Sequence, residues 1–311
     1  MLTHRARPGA RAITDVVPEL ARRFLVAPDP PSRIPTVRQL VHEHRSSLAS
    51  IHAAIARLEA AGAIGVERRG RLGAFLVSRS VGPLWVAAEG GPLVISLPLA
   101  SSLRYEALAS AIKQLLTRAG LEVFMIFVRG SRQRLQAVRE GRCHLAAMSS
   151  FAAAQICGSD DRVVVELGPN SYNTGHRVFY SPADPPRNPL RVIVDRHSAD
   201  QQLLTALEFA GHEIELLPAM TGQITRLLTN GQADAAVWTS DEMQATRLEG
   251  ILDRALAPSV RDRIGDSDTR AALVGSASDA AVLRAVTAQL DAAEVARIQQ
   301  DVMSGHVVPE Y

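Results

Sequence analysis

Several residue types that build particular scaffolds or sites are scarce in this 311-residue chain. The two cysteines, Cys143 and Cys157, are too few for a scaffold held together by disulfides. They do not belong to His/Cys sets with the spacing of zinc ligands, so we expect no metal site. Lys113 is the only lysine, which leaves one candidate for chemistry that needs a lysine Schiff base. We therefore expect no cofactor and no catalytic residues.

Long apolar runs are also missing. No run of eighteen apolar residues occurs, which argues against a membrane-spanning helix and a membrane partner. The apolar core of a signal peptide is not found near the N-terminus because charged residues interrupt it, namely Arg5, Arg7, Arg11 and Asp15. Hydrophobic residues nevertheless make up 47% of the chain, which argues against disorder. We expect a cytoplasmic protein with one small and one larger unit.

Positive charge is concentrated in the first part of the chain. Residues 1–80 contain thirteen arginines against six acidic residues, whereas acidic residues outnumber basic ones in the remainder. This asymmetry suits a domain that binds a polyanion, joined to a domain that does not. The first twelve residues could form a mobile basic arm that reaches DNA, although a frayed terminus is the plainer interpretation.

Residues 34–77 have the pattern of two helices followed by a two-stranded wing. A first helix opens after Pro35, and its apolar residues recur at helical spacing, namely Val37, Leu40 and Val41. Ser46-Ser47 offers an N-cap to a second helix that ends at Gly62. The predicted buried face of that helix comprises Leu48, Ile51, Ile55 and Leu58. Alternating residues on either side of Gly70 and Gly73 then predict two short strands, Ile64 and Val66 in one and Phe75 and Val77 in the other.

This segment resembles the winged helix-turn-helix of GntR-type bacterial regulators over about residues 12–78. The matching residues are Ile34-Pro35, Arg38-Gln39-Leu40, Ser47, Leu58-Glu59-Ala60, Gly62 and the wing Glu67-Arg68-Arg69-Gly70-Arg71 with Gly73 and Phe75. The resemblance implies a helix in the DNA major groove with the wing beside it. The candidate DNA-binding residues are Arg38, Ser47, Ser50, His52, Arg68, Arg69 and Arg71. Leu48 and His52 stand where GntR-type proteins usually carry arginines, and a helical pair used for dimerisation remains the alternative.

The rest of the chain alternates between strand and helix patterns. Residues 81–91 are interpreted as a linker, although Trp85-Val86-Ala87 could form a short strand. From residue 92 a βαβαβ order predicts a parallel sheet covered by helices. A proline-rich stretch, residues 181–186, precedes a second lobe of the same order. With a head at 1–80, the domain at 92–311 is predicted as a two-lobed clamshell like periplasmic binding proteins, with lobe 1 at about 92–180 and 271–311 and lobe 2 at about 188–245.

Three segments of this domain resemble the YhfZ family. They are ISLPLASSLRYEALA at 95–109, LAAMSSFAA at 145–153 and GPNSYNTGHRVFYSP at 168–182. That family joins a GntR-like DNA-binding head to a type 2 periplasmic-binding-protein-like α/β domain. The resemblance implies a transcriptional regulator and names no ligand.

Candidate ligand-binding residues follow from the ends of the predicted strands. Ligands of such sheets bind outside the carboxyl ends of strands, where loops and helix N-termini converge. Two serine pairs occupy equivalent places there, and Arg104 could pair with a carboxylate or phosphate. The candidates are Ser101, Ser102, Arg104, Tyr105, Ser149, Ser150, Tyr172, His176, Asp195, Ser198, Trp238 and Asp241. Each has a plainer interpretation, since Ser-Ser before a helix is most often only a cap.

These patterns predict a ligand-responsive regulator that binds operator DNA as a homodimer and a small effector, with an anion as one option, in the cleft between the lobes. Leu48 and His52 motivate an alternative, a binding protein whose head no longer binds DNA. A clamshell-fold enzyme is a further alternative, although no P-loop, GxSxG or HExxH motif occurs. A pyridoxal-phosphate body is disfavoured because Lys113 lies inside an amphipathic helix. The strand–helix alternation from 92 to 240 disfavours a mostly antiparallel sensor domain.

Overall fold

The structure is a computed structural model that describes residues 13–181, 187–244 and 250–311. Residues 1–12, interpreted as a frayed terminus or a basic arm, and residues 182–186 of the proline-rich stretch lie outside the described residues. The chain divides into two compact units. The first unit comprises Met1–Leu93, Leu116–Glu122 and Ala281–Gln289, and the second comprises Val94–Leu115, Val123–Ala280 and Leu290–Tyr311.

The first unit contains a winged helix-turn-helix. Its elements are α1 (Ile13–Leu25), β1 (Ser32–Arg33), α2 (Val37–His44), α3 (Leu48–Ala60), β2 (Ile64–Arg68), β3 (Ala74–Arg79) and α4 (Val81–Ala87). The three strands form an antiparallel sheet in the order β1-β3-β2. Thr36 and Gln39 form a capping box at the start of α2, and Ser47 caps α3 by accepting from the Ser50 amide at 3.0 Å. The predicted helices and wing are therefore present.

The buried face of α3 differs from the predicted one. It comprises Ser50, Ile51, Ala54, Ile55 and Leu58, whereas Leu48 is 55% exposed. Because successive residues of a helix are ~100° apart, this face is rotated by roughly half a step from the one predicted through Leu48. Serine and alanine are small enough to let neighbouring elements approach closely on the Ser50 side. Leu48 thus points outward and Ser50 inward, which corrects both expectations.

Residues 81–91 are not a simple linker. Residues 81–87 form α4, in which Leu84 and Trp85 are buried, and the Trp85 indole donates to the Gly91 carbonyl at 2.7 Å. Pro83 lies in the first helical turn, where backbone N–H groups have no helical partner, so a proline there is tolerated. A Cβ on Gly82 would lie 2.3 Å from the Gly120 carbonyl oxygen, so this close approach requires glycine. The amino-acid composition of residues 81–91 predicted a linker, but burial of Trp85 stabilises a helix there.

The rest of the chain from residue 93 builds two five-stranded sheets. The elements are β4 (Leu93–Leu97), α5 (Leu103–Arg118), β5 (Val123–Phe127), α6 (Ser131–Arg139), β6 (Leu145–Ser149), α7 (Ser150–Ile156), β7 (Asp161–Glu166), β8 (His176–Tyr180), β9 (Leu190–Val194), α8 (Ala199–Glu208), β10 (Ile214–Pro218), α9 (Thr221–Thr229), β11 (Ala235–Thr239), α10 (Ser240–Gln244), β12 (Leu252–Ala255), α11 (Pro258–Ile264), β13 (Ala271–Ser276), α12 (Ala280–Thr287) and α13 (Ala292–Met303). One sheet has the order β5-β4-β6-β13-β7 and the other β10-β9-β11-β8-β12. We call each sheet with its helices a lobe, the first and the second.

Both sheets are mixed, so the parallel sheet predicted from the βαβαβ order is wrong as a description of the whole sheet. In the first lobe β4 and β6 are parallel, but β13 is antiparallel to β6 and β7. In the second lobe β9 is parallel to β10 and β11, but β8 is antiparallel to β11 and β12. The antiparallel strands are those that the chain adds after crossing between lobes, because a strand entering from the other lobe need not share the direction of its neighbours.

Strand β8 corrects the predicted lobe boundary. Residues 176–180, expected in the first lobe, pair with β11 and β12 of the second. Val178 and Phe179 are buried in the core of that lobe. The chain thus crosses before the proline-rich stretch and crosses back between α11 and β13. No strand was predicted at 176–180, because alternation in His176–Tyr180 is weak beside the polar residues that precede it.

Candidate functional sites

A cavity of about 530 Å³ lies between the two lobes of the second unit. Both lobes line it, chiefly with residues that follow strand ends or begin helices. From the first lobe and the crossing segment come Pro98, Leu99, Ser101, Tyr105, Arg129, Gly130, Ser131, Arg134, Tyr172 and Asn173. From the second lobe come His176, Asp195, Ser198, Asp200, Gln201, Met220, Thr221, Gly222, Gln223, Trp238, Thr239 and Glu242. This placement follows the strand-end rule for open α/β sheets.

Seven of the twelve candidate ligand-binding residues line this cavity, namely Ser101, Tyr105, Tyr172, His176, Asp195, Ser198 and Trp238. The other five, Ser102, Arg104, Ser149, Ser150 and Asp241, do not. Ser149 caps α7 and also donates to Asp200 of the second lobe. Ser102 is buried and accepts from the Tyr105 amide at 3.3 Å. The plainer interpretation of serines before helices, as caps, thus describes Ser102 and Ser149.

Arg134 is a buried cation at the wall of the cavity, 3% exposed. Its guanidinium donates to the carbonyl of Ala147 at 2.6 Å, to the carbonyl of Val128 at 2.8 Å and to the Tyr172 hydroxyl at 2.9 Å. Within the described part of the chain, no carboxylate lies at ion-pair distance from it. A guanidinium has five N–H donors, so two remain for other acceptors. Arg134 lies at helical spacing from Ser131, Leu135 and Val138 on the buried face of α6. This spacing is visible in the sequence and could have identified Arg134 as buried.

Two buried carboxylates face the same cavity, and the sequence predicted neither. Asp200 lies at the start of α8, and burial raises the pKa of its carboxyl, against the opposing charge of His176 and the hydrogen bond from Ser149. Glu242 of α10 accepts from three hydroxyls: Ser101 at 2.6 Å, Thr239 at 2.9 Å and Thr221 at 3.3 Å. Cationic and acidic groups therefore stand in one cavity, which suits a ligand carrying more than one kind of polar group.

His176 forms a buried pair with Asp268, Nδ1 to Oδ2 at 2.8 Å. Burial alone would lower the pKa of His176, but the hydrogen bond and charge of Asp268 outweigh it, so the pKa is raised. Tyr172 packs against Tyr105 with ring centroids 5.2 Å apart, and burial raises the pKa of Tyr172 to about 12. Tyr105, Tyr172 and His176 are thus buried side chains that line one part of the cavity.

Direct contacts join the lobes around the cavity. Arg129, after β5, forms an ion pair with Asp195, after β9, at 2.7 Å. The Ala199 amide donates to the Ser131 hydroxyl at 3.0 Å. Gly130 has φ +77° and approaches His197 so closely that an added Cβ would lie 2.4 Å from its carbonyl oxygen. The lobes are therefore closed on each other, and the cavity is the space left between them.

The described residues do not form a candidate metal site. Across the described ranges, no group of three or more His, Cys, Asp or Glu side chains is placed to hold a metal ion. Lys113 is in the middle of α5 and is not among the residues lining the cavity. No described helix is long and apolar enough to cross a membrane.

The wing arginines of the first unit are in different situations. Arg68 pairs with Glu59 at 2.8 Å, and Arg69 pairs with Glu67 at 2.7 Å while lying 4.5 Å from the Phe75 ring centroid. Arg71 is exposed and has no such partner among the described residues, and the same holds for Arg38 on α2. Arg68 and Arg69 thus form ion pairs with acidic side chains, whereas Arg38 and Arg71 do not in the part of the chain that the structure describes.

The candidate residues on α3 are also divided. His52 is exposed, whereas Ser50 is only 7% exposed and Ser47 is engaged as the helix cap, with their hydroxyls 2.9 Å apart. Ser50 therefore cannot reach a base edge while α3 keeps its packing. Ser50 instead packs on the buried face at the start of α3.

Comparisons with known proteins find matches for both the helix-turn-helix segment and the domain that follows it. The chain matches the YhfZ C-terminal domain family over residues 81–311 and a helix-turn-helix domain family over residues 32–76. It is 28% identical over 300 residues to the YhfZ protein of Escherichia coli strain K12, covering 95% of this chain and 96% of that one.

Solved structures share the fold of the second part. The crystal structure of YhfZ from Shigella flexneri matches with a TM-score of 0.58 and 24% identity, over 71% of this chain and 94% of that chain. The periplasmic aliphatic sulphonate binding protein SsuA from Escherichia coli matches with a TM-score of 0.50 and 19% identity, over 70% and 75%. The fold is thus an N-terminal winged helix-turn-helix followed by a periplasmic-binding-protein-like α/β domain.

Proposed function

The chain belongs to the YhfZ family, and on that premise we propose that it is a ligand-responsive, DNA-binding transcriptional regulator of the cytoplasm. The observation that carries the proposal is the combination in one chain of a winged helix-turn-helix with a closed two-lobed domain around a polar cavity. The first supplies a DNA-binding surface, and the second supplies a site for a small effector.

Charge supports DNA as the partner of the head. Residues 1–80 carry thirteen arginines and six acidic residues. Arg38 and Arg71 are exposed, and neither pairs with an acid in the described part of the chain. Cations that no acid neutralises contribute affinity by releasing counterions from phosphates. We propose that two heads of a homodimer bind a two-fold operator, as paired winged helices do.

The cavity supports a small effector of mixed polarity. The free N–H groups of Arg134 would bind an anionic group such as a carboxylate, phosphate or sulphonate, because charge-assisted hydrogen bonds are the strongest available there. Asp200 and Glu242 would accept from hydroxyl or ammonium groups of the same molecule. An effector touching both lobes favours the closed form, and its binding then changes operator affinity only if the two forms differ in DNA affinity.

The test combines DNA and ligand binding on the full chain. A duplex selected in vitro from a random library is titrated by fluorescence anisotropy at two salt concentrations, with random duplex as competitor. Thermal shift against a metabolite library then finds effectors, with Arg134→Lys and the exposed Arg132→Lys as a matched pair of variants. We expect salt-sensitive, competitor-resistant binding, and an effector that shifts DNA affinity in the wild type and in Arg132→Lys but not in Arg134→Lys.

One observation favours a second candidate function. Leu48 and His52 occupy places where GntR-type heads usually have arginines, and Leu48 is exposed on α3. A small-molecule binding protein whose head no longer binds DNA, or a clamshell-fold enzyme with such a head, would show an effector in the thermal-shift screen. No duplex would then be enriched by selection, with or without that effector.

A further inference from the structure

The exposed face of the first two turns of α3 is almost entirely apolar. Leu48 is 55% exposed at the first helical position. Ala49 and Ala56 are exposed and Ala53 is half-buried. His52 is the one polar side chain on this face, because Ser50 is buried between α3 and its neighbours. No Arg, Lys, Asn, Gln, Asp or Glu occurs from Leu48 to Ala56.

This composition limits what the first two turns of α3 can recognise in a major groove. Guanine is read by arginine or lysine, adenine by asparagine or glutamine, and cytosine by acidic side chains, and all of these are missing here. Thymine is the one base that offers an apolar group in the major groove, its 5-methyl. We propose that Leu48, with Ala49 and Ala53 beside it, reads thymine methyl groups of the operator. The inference rests on the proposed DNA-binding function.

The surroundings of this face favour DNA over a protein partner. The same domain has seven more arginines than acidic residues in residues 1–80. Arg38 on α2, Arg57 on α3 and Arg71 on the wing are exposed on elements of this domain. Phosphate contacts set the position of a protein on a duplex, and base-edge contacts specify the sequence. The arginines would thus supply position and affinity, while the apolar start of α3 supplies specificity.

The contacts are tested by removing single methyl groups from DNA. A duplex enriched by the full-length protein is resynthesised with deoxyuridine in place of each thymine in turn, and affinity is measured by anisotropy. Burial of one methyl group corresponds to roughly a fourfold change in affinity. We expect a loss of about that size at one or two thymines in each half-site, and little change elsewhere.

A variant assigns the contact to the leucine. Leu48→Ala should weaken binding to the thymine duplex and abolish the effect of deoxyuridine at the contacted positions, because the methyl then has no partner. Leu252→Ala removes a leucine of similar exposure, 48%, from β12 of the second unit and should leave the deoxyuridine effect unchanged. Unchanged thermal unfolding of both variants would show that the fold is intact.

The outcomes separate this inference from the proposed function. If no duplex is enriched, the DNA-binding function fails. If a duplex is enriched but no thymine is sensitive to deoxyuridine, or if the loss is equal in the wild type and in Leu48→Ala, the head binds DNA and the methyl-reading inference is overturned. A guanine-dependent site without thymine contacts would have the same meaning.

Discussion

Arg104 of the first lobe and Asp241 of the second form an ion pair with the Nε and Oδ1 atoms 2.9 Å apart. The side chains are 17% and 8% exposed. Arg104 also donates to the Asn170 carbonyl at 2.8 Å, and Asp241 accepts from the amide and hydroxyl of Thr174. Both residues were candidates for ligand binding, and the structure uses them to join the lobes and the crossing segment.

This pair should contribute measurably to the stability of the second unit. A double-mutant cycle with Arg104→Ala and Asp241→Ala is expected to give a coupling of about 1–3 kcal/mol, because the pair is largely shielded from water. The exposed pair Arg297–Asp301, 52% and 34% exposed, serves as the control, with about 0.5 kcal/mol or less. Urea unfolding measures both cycles. Equal couplings would show that burial of the Arg104–Asp241 pair adds nothing.

Closure of the lobes should depend on glycine at position 130. Gly130→Ala is expected to favour an open form, because the new Cβ would lie 2.4 Å from His197. Gly141→Ala is the matched control, since Gly141 also has positive φ, +68°, but no atom within 4 Å of its Cβ position. Both variants also bear backbone strain from a positive φ, which is larger at Gly130 because its ψ of +136° lies near the region that essentially only glycine adopts. Small-angle scattering should show an expanded second unit only for Gly130→Ala, and identical curves would contradict the steric argument.

Arg134 should be needed for stability as well as for the cavity. Arg134→Met is expected to lower the free energy of unfolding by roughly 3 kcal/mol, because it removes the hydrogen bonds to the Ala147 and Val128 carbonyls and to the Tyr172 hydroxyl. Arg132→Met, at an exposed position of the same helix, should change it by about 0.5 kcal/mol at most. The chain has two tryptophans. In a Trp85→Phe background, Trp238 fluorescence therefore reports unfolding of the second unit, and equal losses in the two variants would refute the assignment.

Stability of the second unit should fall as pH rises through the neutral range. The pKa of His176 is raised in the folded state. Its pair with Asp268 therefore stabilises the fold fully below the unfolded-state pKa of about 6.5, and this contribution is lost as pH rises through the folded-state value. Each unit of raised pKa corresponds to about 1.4 kcal/mol.

Two histidine variants check the assignment of this pH dependence. His176→Asn, which can still donate to Asp268 but does not titrate, should flatten the dependence above the unfolded-state pKa of about 6.5. His212→Asn at an exposed position should keep it. Burial also raises the pKa of Asp200, and that contribution has the same sign but begins to be lost at the lower unfolded-state pKa of an aspartate, about 3.9. The midpoints of denaturation measured across pH test this assignment. If His176→Asn leaves the slope of stability against pH unchanged, His176 is not the source of the pH dependence.

The wing should contribute to DNA affinity chiefly through Arg71. Arg71→Ala is expected to weaken binding by about 1–3 kcal/mol if the side chain reads a base edge, and otherwise to lower the salt slope by about 1. Arg69→Ala should have the smaller effect, because Arg69 is held by Glu67 and lies over Phe75. Anisotropy titrations at several salt concentrations compare the two, with Arg297→Ala as a control. A larger effect at Arg69 would mean that its pair breaks on binding.

Local chemistry explains why the head was predictable. Ser47 as cap, Gly62 with φ +65° after α3, and alternation around Gly70 and Gly73 each act over a few residues. Much of the order of strands and helices in the second unit was predictable for the same reason, although β8 and β12 were not predicted. The prediction failed where a neighbour decides, as at Leu48 and Ser50, whose burial depends on how α3 packs.

The sequence alone determined the family, most of the element order and the candidate ligand-binding residues, seven of which line the cavity, Ser101, Tyr172 and Asp195 among them. Only the tertiary structure decided that Arg134, Asp200 and Glu242 face that cavity and that Arg104 and Asp241 bind each other. Turn and cap preferences are set by neighbouring residues along the chain. A cavity between two lobes is set by contacts between residues far apart in the chain, from 51 positions for Ser149 and Asp200 to 141 for Ser101 and Glu242. Those contacts exist only once both sheets have formed and closed together.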